Sequence, residues 1–195
     1  MAVTIKSKAT ELYKYRWILI VRGIILFVFG LFGIYLWPII SVAGIQLLGI
    51  YVSIIFISEG LTTMAVSYLI RESKYWWVPL MAGSVSLLSA AIILIAGKKS
   101  DIVNFVIGGW AIIRAMLSLS EAGIFHNEIK RVWLLYVKNF LLILIVPLVI
   151  LSFIYGPRFT ALSIGYYFFI HGIMLIILCF FGLNGHQSRQ SGGSP

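Results

Sequence analysis

Three copies of one apolar hairpin run end to end along this chain, and that repeat restricts its possible folds more than any other feature. Trp17, Trp77 and Trp133 each open an apolar stretch, 60 and then 56 residues apart. Five residues after each Trp stand Arg22, Ala82 and Lys138, followed at once by Gly23, Gly83 and Asn139. The second half of each copy repeats as well. Glu59-Gly60, Arg114-Ala115 and His171-Gly172 are polar-then-small pairs, 55 and 57 residues apart. A period of this length with two apolar stretches per copy predicts one helical hairpin used three times.

The solvent for such a chain is lipid. Hydrophobic residues make up 61% of the 195 and charged residues 11%, against about 25% charged in a soluble domain. No single core hides that much apolar surface. The expectation is one membrane domain over 17–183, built of repeats at about 17–70, 76–125 and 132–183. A basic N-terminal segment (1–16) precedes it, and a tail (184–195) of flexible composition follows. The first apolar stretch reaches Trp37-Pro38 without a small-residue cleavage pattern, so it reads as a retained helix rather than a signal peptide. The net charge of +9 sits mostly at segment ends, which fits membrane topology better than nucleic-acid binding. Cys179 stands alone in an apolar run, so no disulfide framework or cysteine metal cluster is expected.

A helix needs about 20 apolar residues to cross about 30 Å of hydrocarbon. Six stretches qualify: Trp17–Trp37, Ile39–Ile70, Trp76–Ala96, Ile102–Phe125, Val132–Tyr155 and Phe159–Leu183. The fold class predicted is therefore all-α, a six-helix integral membrane protein. The breaks predicted within hairpins are Trp37-Pro38, Gly97–Asp101 and Gly156–Arg158, each carrying Pro or Gly as a tight reversal needs. The second stretch is longer than a crossing requires, which leaves its first residues for a turn or an interfacial piece. On one side of the membrane lie Lys6, Lys8, Lys14, Arg16, Arg71, Lys74, Lys130, Arg131 and Arg189; on the other, Lys98, Lys99 and Arg158. That asymmetry assigns both termini to the cytoplasm, in a cytoplasmic membrane. Two helices per copy insert all three copies in the same orientation. Parallel repeats relate by an axis along the membrane normal, and a pseudo-threefold bundle is the natural arrangement.

Small residues let helices approach in lipid. The fourth stretch carries a continuous stripe of them, Gly108, Ala111, Ala115, Ser118 and Ala122. Gly23, Gly30 and Gly33, then Gly49, Ser53 and Gly60, then Gly83, Ser86 and Ala90 mark the first three. Tight packing is the reading for these.

The candidate functional centre is polar. Glu59, Arg114 and His171 share one repeat position near the bilayer midplane, where a charge costs at least about 2.5–3.5 kcal/mol and needs a partner. Glu59 and Arg114 have opposite sign and equal depth, which predicts an ion pair. His171 is placed to hydrogen-bond Glu59, and its reference pKa near 6.5 makes it the group that changes charge on mild acidification. Secondary candidates are Arg22, Glu121 and Lys138. Arg22 and Lys138 are short enough of the interface to snorkel toward headgroups, with Arg22 alternatively a second partner of Glu59 and Glu121 a partner of Lys138. Structurally, such a set fixes which repeat packs on which; functionally, it is a pH-responsive switch or an ion path. The sequence contains no phosphate loop, zinc-protease motif or nucleophile elbow, so neither a catalytic site nor a cofactor or metal is expected.

The pieces Trp17, Arg22-Gly23, Gly30, Trp37-Pro38, Gly49-Ile50-Tyr51 and Glu59-Gly60 are echoed by Trp77, Gly83, Gly109-Trp110 and Arg114-Ala115. Over roughly Trp17 to Leu183 this pattern resembles the HdeD-like acid-resistance membrane proteins, small six-helix proteins of prokaryotic membranes. The resemblance implies a part in acid stress and brings no catalytic residues. Lys98-Lys99 stands where the second repeat would carry its Pro, and Lys138-Asn139 replaces Arg-Gly in the third. Three functions are in view: a stand-alone, non-enzymatic acid-stress protein using the polar centre, a small transporter or channel using the same centre, and an accessory subunit of a larger membrane complex. The partners are the bilayer and either a second copy or that complex.

Overall fold

The computed structural model describes residues 16–71, 75–96, 100–125, 133–177 and 179–180. Its six α-helices are α1 (Arg16–Ala43), α2 (Ile45–Leu69), α3 (Trp77–Ala96), α4 (Ser100–Phe125), α5 (Trp133–Tyr155) and α6 (Pro157–Ile177). Among the described residues there is no β-strand. Five of the helices are long and apolar enough to cross a membrane. In α5 the described apolar stretch is shorter, Asn139–Leu151. Large side chains on the outer surface include Ile95 (82% exposed), Phe105 (78%) and Ile154 (74%). Water would penalise each of them by roughly 1.5–3 kcal/mol relative to an apolar surrounding. That surface is the one a multi-pass membrane protein presents.

The first reversal lies further along than the Trp37-Pro38 break expected from sequence. Helix α1 continues through Pro38 to Ala43, and the chain turns at Gly44. A proline close to a helix end removes one backbone hydrogen bond without stopping the helix. Gly44 (φ 82°, ψ −170°) stops it, because that region is essentially restricted to glycine. The third hairpin turns the same way at Gly156 (φ 81°). Pro157 then occupies the first position of α6, where its missing N–H costs nothing.

The helices pack as a closed ring in which each touches its neighbours in sequence and α6 returns to α1. The closest pairs are α1 with α6, α2 with α3, and α4 with α5. Glycines account for the first two. A Cβ on Gly30 would lie 2.2 Å from the backbone nitrogen of Phe169, and one on Gly172 would lie 2.6 Å from the carbonyl oxygen of Gly23. Between α2 and α3, Gly60 and Gly83 meet in the same manner, each hypothetical Cβ within 3.0 Å of the other residue's carbonyl oxygen. The stripe singled out on α4 is not the tightest seam. Gly108 has Val149 at an ordinary 3.6 Å, and Gly109 has open space. At the repeat position of Gly23 and Gly83, α5 carries Asn139, whose amide donates to the Ser118 carbonyl and accepts from the Ser118 hydroxyl. An asparagine fills what would otherwise be a glycine contact, and hydrogen bonds replace backbone proximity.

Side chains of the even-numbered helices meet inside the ring. Phe56 of α2 stacks on Trp110 of α4 (centroids 4.5 Å apart), and Phe168 of α6 lies 6.0 Å from Trp110 and 6.5 Å from Phe56. Nearer the Gly44 and Gly156 turns, Thr160 of α6 donates to Asn104 of α4 at 2.9 Å, both buried.

Candidate functional site

One carboxylate gathers the centre of the bundle. Glu59, on the inward face of α2, is 1% exposed. Its Oε1 accepts from Arg114 Nη2 at 2.7 Å and Nε at 3.2 Å, the forked geometry of a guanidinium on a carboxylate oxygen. Arg22 Nη2 of α1 donates to the same Oε1 at 3.1 Å. The predicted Glu59–Arg114 pair is present. Of the two readings of Arg22, the second holds: it turns inward to Glu59 and is 8% exposed, so it does not snorkel. Desolvating the carboxylate is costly, and only excellent geometry with further hydrogen bonds offsets it. Two guanidiniums from two helices supply that.

The other oxygen, Oε2, faces Ser86 Oγ of α3 at 3.4 Å, and Ser86 accepts from Trp110 Nε1 at 3.0 Å. Ser86 reads in the sequence as a packing residue and Trp110 as part of a glycine–aromatic pair, yet both belong to the site. The available signal was spacing: Trp110 precedes Arg114 by four residues and so shares its helix face.

His171 of α6 is buried as well. Its Nδ1 lies 3.0 Å from Tyr167 Oη, one turn back on α6, where the expectation was a hydrogen bond to Glu59. The carboxylate oxygens are occupied by Arg22, Arg114 and Ser86. A tyrosine four residues away on the same face partners Nδ1 locally. Tyr167 also meets the edge of Trp110 at 6.1 Å and 82°, so the imidazole joins the cluster through the aromatic layer. The proposed Glu121–Lys138 pair involves side chains that lie outside those described.

The site is therefore layered. Phe56, Trp110, Tyr167 and Phe168 form an aromatic layer one turn from the charges, toward the Gly44 and Gly156 turns. One turn the other way lie Thr63, Ser118 and Asn139, all buried, small and polar. Thr63 donates to the Glu59 carbonyl at 2.7 Å. No group of three or more His, Cys, Asp or Glu suited to a metal ion occurs among the described residues.

These features define an apolar six-helix bundle around a buried polar centre, the coarse class of a multi-pass membrane protein. The chain matches no protein-family model, no curated protein and no solved structure.

Proposed function

We propose that this chain is a non-enzymatic protein of the cytoplasmic membrane that responds to acid stress through the Glu59, Arg114 and His171 centre. Its six helices cross the membrane as three parallel hairpins about a pseudo-threefold axis, with both termini in the cytoplasm. The observation that carries the reading is the charge of the centre. Two guanidiniums share one carboxylate oxygen, and the formal charges of Glu59, Arg22 and Arg114 sum to one positive charge. Protonating His171 adds another beside them, in surroundings where charge is weakly screened. Acidification therefore pushes apart the helices that the neutral imidazole allows to close. The threefold arrangement is supported by the equivalence of the closest pairs, each joining the second helix of one hairpin to the first of another. The mutual packing of Phe56, Trp110 and Phe168 across the ring favours a responsive protein over a transporter or channel.

Hydrogen exchange of α6 in nanodiscs tests the response. Exchange should rise from neutral to mildly acidic pH in the parent protein and stay flat in His171→Gln. Identical profiles would leave His171 a packing residue and end the acid-response reading. Sidedness has its own check, from the nine-to-three division of Lys and Arg between the two sides. Reporter fusions at Lys99 and after Pro195 should give opposite locations; the same location for both would overturn the orientation.

A further inference from the structure

We infer that the first part of α5, up to Pro147, is a hinged arm that parts from α4 as a unit while the rest of α5 stays docked. The inference goes beyond the acid-response reading and does not depend on it, since it concerns where the bundle yields. Pro147 lies inside α5. Proline has no N–H to offer the carbonyl four residues back, and its ring crowds that carbonyl. The helix ladder is therefore interrupted between Ile143 and Pro147, both exposed on the outer surface. Two contacts with α4 flank the interruption. Before it, the buried Asn139 exchanges hydrogen bonds with Ser118, its amide donating to the Ser118 carbonyl at 3.2 Å. After it, Val149 lies against Gly108, and the Gly156 turn leads the docked end straight into α6.

What holds each seam decides which one gives way. Buried Leu142 and Ile145 line the inner face of the arm. Lipid tails are as apolar as leucine, so acyl chains replace such contacts at little cost. A seam in lipid is held instead by close backbone packing or by polar bonds. The α1–α6 and α2–α3 seams have the backbone packing, with Gly23 on Gly172 and Gly60 on Gly83. At that repeat position α5 has Asn139, and Gly109 of α4 has nothing within 4 Å. The Asn139–Ser118 pair is thus the latch of the arm. Its hydrogen bonds are worth little net, because each group finds other partners once released. Ser118 stands one turn from Arg114, so the latch ties α5 to the helix that carries the ion pair.

Hydrogen exchange in nanodiscs at constant neutral pH tests the arm. Amides of 134–146 should exchange at least about 10-fold faster than those of 78–90, the equivalent stretch of α3. Asn139→Ala should speed 134–146 by roughly a further 10-fold and leave 78–90 and 148–155 unchanged. Pro147→Ala restores the ladder and should slow 134–146 by a similar factor, about 10-fold. Equal exchange of the two stretches in the parent overturns the hinged arm, as does an Asn139→Ala that speeds every helix alike. If Asn139→Ala does not fold, Pro147→Ala decides. Slower exchange confined to 134–146 supports the arm, and unchanged exchange overturns it. None of these outcomes involves His171 or a change of pH, so the arm and the acid response fail separately.

Discussion

Glu59→Ala should be the most damaging single substitution in the polar centre, costing about 3–5 kcal/mol, the usual range when one partner of a buried ion pair is removed. The reason lies in the count of partners. Removing Glu59 takes a shared ion-pair partner from two guanidiniums at once, whereas removing either arginine leaves the carboxylate with the other. The order of loss should therefore be Glu59→Ala, then Arg114→Ala, then Arg22→Ala. Arg114 ranks above Arg22 because it donates twice, at 2.7 and 3.2 Å, and Arg22 once, at 3.1 Å. Unfolding in mixed micelles by increasing denaturing detergent ranks the three. A larger loss for Arg22→Ala than for Glu59→Ala would mean that the carboxylate is not the hub.

The second large effect is expected at the α1–α6 seam. Gly30→Ala places a methyl carbon 2.2 Å from the Phe169 backbone nitrogen and 2.8 Å from the Gly165 carbonyl oxygen. Those are backbone atoms of a helix, which cannot move aside as a flexible side chain can. Overpacking costs typically about 1–3 kcal/mol and sometimes more, and Gly30→Ala belongs at or beyond the top of that range. Gly109→Ala is the control, with nothing within 4 Å of the added carbon. It should change stability by less than about 0.5 kcal/mol. The same detergent unfolding series reads both. Equal losses would show that α1 and α6 do not pack through their glycines.

How much of this was legible from sequence depended on which physical rule governed each feature. The six helices follow from hydropathy, since lipid compels every backbone polar group to be satisfied within its own segment. Their ends are less legible. Pro38 reads as a breaker, yet near the end of α1 it forfeits only one bond, and the turn waits for the backbone freedom of Gly44. The Glu59–Arg114 pair was readable because opposite charges at equal depth have few other ways to be satisfied. Arg22 was ambiguous because its long side chain reaches either the headgroups or the centre, and only the position of α1 in the ring decides. For His171 the contact of Nδ1 with Tyr167, on its own helix, was not read from the sequence, although a spacing of four residues puts the two side chains on one face. The asymmetry of the third seam was visible as Asn139 in a glycine position. Its consequence, a hydrogen-bonded rather than backbone-to-backbone contact, needed the partner Ser118 to be known.

The central claim is that Glu59 and Arg114 hold α2 and α4 together as one coupled unit. A double-mutant cycle tests it most directly, with unfolding free energies measured for the parent, Glu59→Ala, Arg114→Ala and the double replacement in the same micelles. The account predicts that the double replacement costs less than the sum of the two single losses, by a coupling within about 0.5–3 kcal/mol. Losses that simply add would mean that the two side chains, 2.7 Å apart at their closest atoms, do not stabilise the bundle through each other, and would contradict it.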